Sequence, residues 1–133
     1  MKITTTKSFD ITYDHFEAVI VTALEGGSNY WYNLNTKEFK DKLPKAAGSF
    51  NCLTEKISKA LYEDTRSRFK MNVYDVESDE LLGTVTHQSM IKAFKLAAID
   101  HYHNFENIIS GNYDAADADV IFQLAVMGNV VFG

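Results

Sequence analysis

The sequence predicts an α+β domain: a small antiparallel sheet with three to four helices packed on it. Three observations carry this expectation. Strand-like and helix-like hydrophobic periods both occur, yet too few strands alternate with helices for a doubly wound parallel sheet. The 133 residues suit one globular domain, 1–133, with 46% hydrophobic and 23% charged residues, enough for a real core. A single cysteine, Cys52, excludes an internal disulfide framework and a Cys-rich metal site.

Residues 2–9 alternate weakly with three threonines and suit an edge strand. Asp14 and Glu17 have the spacing of a capping box, and Phe16, Val19, Ile20, Ala23 and Leu24 follow at helical spacing. Gly26 and Gly27 end that helix, one of them free to turn left-handed. Tyr30, Trp31 and Tyr32 read as an extended strand with Trp31 facing opposite to its neighbours. Residues 35–49, with Lys37, Lys40, Lys42, Pro44 and Lys45, read as a long loop or an extra hairpin.

A second helix is expected over about 51–66, striped by Leu53, Ile57, Ala60 and Leu61. Phe69–Val76 and Leu81–Thr86 form a hairpin around the turn 77–80. Thr86 or Ser89 caps a third helix, about 88–106. The last helix starts near Asp114 or Asp117 and ends at Gly128. Its surface is apolar nearly all round, as for a helix buried between elements or in an oligomer contact. Residues 130–132 add a short strand or a docked tail.

The net charge of −5 argues against a general nucleic-acid binder, which needs several phosphate contacts. The charge is uneven. Residues 37–70 hold nine basic and five acidic residues, +4, whereas residues 71–133 hold two and nine, −7. An anionic partner is expected at the middle of the chain. The first ten residues lack the apolar core of a signal peptide, and residues 120–133 are too few to span a bilayer. A cytoplasmic chain without membrane contact is expected.

Gly26 and Gly27 lie after a helix and before a strand, the reverse of a phosphate-binding loop, so a P-loop or dinucleotide fold is rejected. Tyr30, Trp31 and Tyr32 could stack a flat ligand, or serve core and interface. Arg66 and Arg68, the only arginines, could clamp an anion or form surface ion pairs with Glu63, Asp64 or Glu77. Asp100 and His103 are three apart and could meet on one helix face as a weak general-base pair, although no nucleophile accompanies them. Asp114, Asp117 and Asp119 lack the glycine and distal glutamate of a calcium loop and read as helix-start carboxylates. No metal or other cofactor is expected.

Ala23-Leu24-Glu25-Gly26-Gly27 with Tyr30-Trp31 resembles a segment of small phage and prophage proteins. So do Ala118-Asp119-Val120, Gln123-Leu124-Ala125, Gly128 and Val131-Phe132-Gly133. The resemblance implies phage or prophage origin and carries no residue-level activity. It also suggests that the glycine–aromatic segment packs against the last helix and tail, with Gly26, Gly27, Ala125 and Gly128 allowing close approach. The expected function is non-enzymatic binding of a host protein or a small anionic, nucleotide-like ligand, by a homo-oligomer. A structural phage component and a small His/Asp-dependent hydrolase are the alternatives.

Overall fold

The computed structural model describes residues 1–4, 7–45 and 52–133. The α+β class holds, with a two-stranded and a three-stranded antiparallel sheet. Among the described residues five α-helices pack with them rather than three to four, because the expected third helix is two.

The single strand expected over 2–9 is instead a small hairpin. Strands β1 (Lys2–Thr4) and β2 (Ser8–Asp10) pair with Ile3 opposite Phe9. Thr5 and Thr6 lie outside the described residues. Helix α1 (Tyr13–Thr22) starts earlier than the Asp14–Glu17 spacing implies. Thr12 is its N-cap residue, and the Thr12 backbone N–H donates to His15 Nδ1 at 3.0 Å. That bond fixes an end donor that would otherwise lack a partner inside the helix.

The glycine pair ends α1 differently from the expectation. Residues Ala23–Gly27 widen into a π turn, with Ser28 N–H donating to Ala23 O at 2.9 Å. Gly26 has φ 170°, which is extended, and Gly27 has no positive φ either. The use of Gly27 is close approach: a Cβ there would lie 2.8 Å from the Ala115 carbonyl oxygen. Nothing crowds Gly26.

Tyr30 and Trp31 sit in a turn, and only Tyr32–Asn33 is strand (β3). Two 3-10 turns follow, Thr36–Glu38 and Lys40–Lys42, where a loop or hairpin was expected. Residues 46–51, which take in the end of that lysine-rich stretch and the first residue expected of the second helix, lie outside the described residues. Helix α2 is Leu53–Glu63. Ile57, Ala60 and Leu61 are buried as expected, but Leu53 is 42% exposed. Strands β4 (Met71–Asp75) and β5 (Leu81–Val85) form the expected hairpin, with Met71 opposite Val85 and a register shift at Val73/Tyr74. The order β3-β4-β5 completes the second sheet.

Helix α3 (His87–Asp100) is capped by Thr86, whose Oγ1 accepts the Ser89 N–H at 3.1 Å. The expected continuous helix breaks at His101, with φ −138° and ψ 50°. The chain restarts as α4 (Tyr102–Ser110), which buries Phe105 and Ile108. Helix α5 (Ala115–Met127) is capped by Asp114, the first of the two starts that the sequence offers, and ends at Gly128 as expected, there in the left-handed conformation, φ 77°. It packs against α1, α3, α4, β5 and the π turn, so its apolar circumference is explained inside one chain. Gly83 brings β5 onto the end of α5; a Cβ there would lie 1.9 Å from the Val126 carbonyl oxygen. Residues 129–133 are a docked tail rather than a strand.

Candidate functional site

Two places gather the residues that the sequence singles out. The first is a polar hub on α5. Asp119 is buried, and its two carboxylate oxygens accept four hydrogen bonds. Oδ1 receives Ser28 Oγ–H at 2.6 Å and the Trp31 indole N–H at 2.8 Å. Oδ2 receives Tyr30 Oη–H at 2.5 Å and Gln123 Nε2–H at 3.1 Å. A buried carboxylate is tolerable only when donors replace its lost hydration, and these four do so.

Gln123, one turn along the same helix, reaches the tail. Its Oε1 accepts the backbone N–H groups of Val131 and Phe132 at 2.8 and 2.9 Å. Its Nε2 also donates to Phe132 O at 3.0 Å. One primary amide thus holds two successive backbone N–H groups and one carbonyl of the tail. The Phe132 ring lies on the Trp31 indole, centroids 5.3 Å apart and planes 10° from parallel. Phe122 covers Trp31 at 5.5 Å. The glycine–aromatic segment, the last helix and the tail therefore do pack together.

This geometry decides what the three aromatic residues do. Trp31 is 1% exposed, with its N–H bonded and Phe132 stacked on it, so it offers no platform while the tail is docked. Tyr32 donates to the Leu24 carbonyl and fixes the π turn. Burial, followed by the charge of Glu25, pushes its phenol up to about 12. Tyr30 is 53% exposed, yet its hydroxyl sits against Asp119 and Gln123. Desolvation there, then the bond to Asp119 and its charge, pushes Tyr30 up to about 12.

The second place is a basic shoulder. Arg66 and Arg68 line an open concavity of about 430 Å³ together with Lys42, Leu43, Pro44 and Phe69. A second concavity of about 580 Å³ shares Leu43 and Pro44 and adds Lys40, Lys45 and Lys56. None of Tyr30, Trp31 and Tyr32 lines either one. The two arginines stand on a tight turn rather than a strand, with Ser67 at φ 56°. Asp64 organises this turn by accepting the Phe69 backbone N–H, and that bond holds its carboxyl below the usual range. The Arg68 guanidinium pairs with Asp64 at 3.6 Å and is otherwise exposed.

The shared helix face expected for Asp100 and His103 does not exist. Asp100 ends α3 and His103 belongs to α4, beyond the break at His101. His103 Nε2 instead faces Asn107 Nδ2 at 3.4 Å. Of the three acidic residues near α5, Asp114 and Asp117 do form the helix start. Burial pushes Asp117 upward, but the Asp114 N–H and the amides of Asn104 and Asn107 outweigh it and hold the carboxyl low. Among the described residues no group of three metal-ligating side chains converges, and no helix is long and apolar enough to cross a membrane.

The sequence reading assigned Asp119 to the helix start and missed its role as the hub. The available signal was its pairing with Gln123, four residues on, within a helix that is apolar beyond its first turn. Polar residues among the buried positions of an apolar helix require partners. Comparison with protein-family models, curated proteins and solved structures finds no match to this chain.

Proposed function

We propose that this chain is a phage or prophage accessory protein that works by binding, without catalysis, an acidic segment of a host protein on its basic shoulder. The resemblance of its two sequence signatures supports the origin. One observation supports the binding reading: the positive middle of a negative chain folds into adjoining concavities. Lys40, Lys42, Lys45, Lys56, Arg66 and Arg68 face three carboxylates there, those of Asp41, Glu63 and Asp64. Long lysine and arginine stems beside Leu43, Pro44 and Leu53 suit an extended acidic peptide with some apolar side chains. A flat nucleotide is less well served, because the Trp31 ring is covered and stands outside the shoulder.

The test is fluorescence anisotropy with a labelled hexaglutamate peptide, with ATP as the competing probe. Hexaglutamate binding should weaken with added salt, as exposed charge pairs are screened. Lys42→Glu with Arg66→Glu should weaken it about tenfold, from the sub-kcal/mol to 1 kcal/mol that each exposed pair contributes. Lys92→Glu with Lys95→Glu, on α3 and outside the shoulder, should leave it unchanged. Binding of ATP but not hexaglutamate would replace the acidic-peptide reading with the small-ligand one. Binding of neither would overturn the proposal.

A further inference from the structure

We infer that the cleft formed by Trp31, Gln123 and Phe122 accepts residues 129–133 of a second copy of this chain, giving a dimer by exchange of tails. The tail is held by groups that do not depend on its own covalent connection. Its bonds to the body include three with the Gln123 amide, and its main apolar contact is Phe132 on Trp31. Among the described residues the tail makes no strand pairing. The same bonds form equally well with an identical segment from another molecule.

The connection is built as a hinge. Gly128 has φ 77°, with no neighbouring atom within 4 Å of where a Cβ would be. This left-handed residue turns the chain off the axis of α5, and Val130 and Val131 beyond it are exposed. A residue that disfavours φ > 0 would be strained in the folded-back tail but relaxed where α5 runs on toward a partner. Exchange in both directions gives a closed twofold dimer, in which each copy completes the hub of the other. Folding back within one chain is favoured at low concentration, because a short linker holds the tail at an effective concentration in the millimolar range. Exchange therefore rises with protein concentration.

Trp31 is the only tryptophan, so its emission reports cleft occupancy directly. The full-length Phe132→Ala chain should emit at longer wavelength than the native chain. Adding the full-length Trp31→Phe chain, which is dark but carries Phe132, should restore the shorter wavelength, with half-recovery near ~1 mM donor. A synthetic peptide of residues 129–133 should do the same, and guards against a Trp31→Phe chain that fails to fold. The same peptide with alanine at position 132 should not. Independently, Gly128→Ala should raise the dimer fraction in light scattering, with an association constant about fivefold higher or more. An unchanged Phe132→Ala emission spectrum overturns the inference, as does no recovery with either donor. So does a Gly128→Ala chain no more dimeric than the native one. None of these measurements involves the basic shoulder, so failure here leaves the proposed acidic-peptide binding standing.

Discussion

Asp119→Ala is the substitution with the largest consequence that the structure allows to be worked out. It removes the carboxylate shared by Ser28, Tyr30, Trp31 and Gln123. Tyr30 is half exposed and can turn its hydroxyl to water, and Gln123 keeps its bond to Phe132. Ser28 and Trp31 have no such escape, because both are essentially fully buried. An orphaned buried donor costs about 1–3 kcal/mol, so the two together cost about 2–6 kcal/mol. Against a total of about 7–20 kcal/mol for a chain of this length, that loss is severe but survivable. Urea denaturation followed by Trp31 fluorescence measures it, and circular dichroism checks that the helices unfold in the same transition. Asp119→Asn keeps the shape and the Oδ1 acceptor but turns an amide toward the Tyr30 and Gln123 donors. It should cost less, about 1–3 kcal/mol. A loss below about 1 kcal/mol for Asp119→Ala, with unchanged denaturant slope, would refute the hub as a structural centre.

Other perturbations follow from single contacts. Gly83→Ala forces a Cβ to 1.9 Å from the Val126 carbonyl oxygen, so β5 or α5 must move. A loss of at least about 2 kcal/mol in thermal or chemical unfolding is expected, as for other overpacked sites. Thr86→Ala removes the side-chain acceptor for the Ser89 N–H and should cost about 1 kcal/mol, read by the same unfolding curves. Tyrosine absorbance during alkaline titration should show Tyr30 and Tyr32 titrating near pH 12, beside Tyr13 and Tyr74, which are raised as well; Tyr30→Phe should remove one of the groups near 12. A folded pKa raised from 10.0 to about 12 means that the native state holds the proton more tightly than the unfolded chain. The associated stability is complete below pH 10 and is lost as the pH climbs toward 12. Denaturation midpoints that stay flat across that window would contradict the assignment.

Local signals in the sequence translated well where one residue type has one physical use. Gly128 ends α5 as read, Asp114 rather than Asp117 starts it, and the β4–β5 hairpin falls where the alternation lies. Misreadings arose where two uses compete. The stripe over 88–106 fits one long helix, yet the chain breaks at His101 and buries Phe105 and Ile108 on a second axis. Periodicity records which residues want burial, not whether one straight axis can bury them all. Gly27 was read both for left-handed freedom and for close approach to the last helix; the structure uses it for the second, against Ala115, whereas nothing lies close to Gly26 or Gly128. Of the hub, Tyr30 and Trp31 stood out in the sequence, but Asp119 read only as a helix-start carboxylate, and the use of the aromatic residues was not legible because stacking chemistry and core packing draw on the same residue types. The element that separates the two, Phe132, lies about a hundred residues away in the chain.

The Asp119 hub also has a consequence in time. Its bonds to Ser28, Tyr30 and Trp31 join residues 91, 89 and 88 positions apart. Closing so long a loop loses much chain entropy before any bond offsets it, so such contacts tend to form late on the folding route. During synthesis, residues 28–31 emerge well before Asp119 and Gln123 exist to receive them. Until then the indole and its neighbours are an exposed aromatic stretch on a partly folded chain. Substitutions at the hub should therefore speed unfolding far more than they slow folding, the signature of interactions made after the transition state.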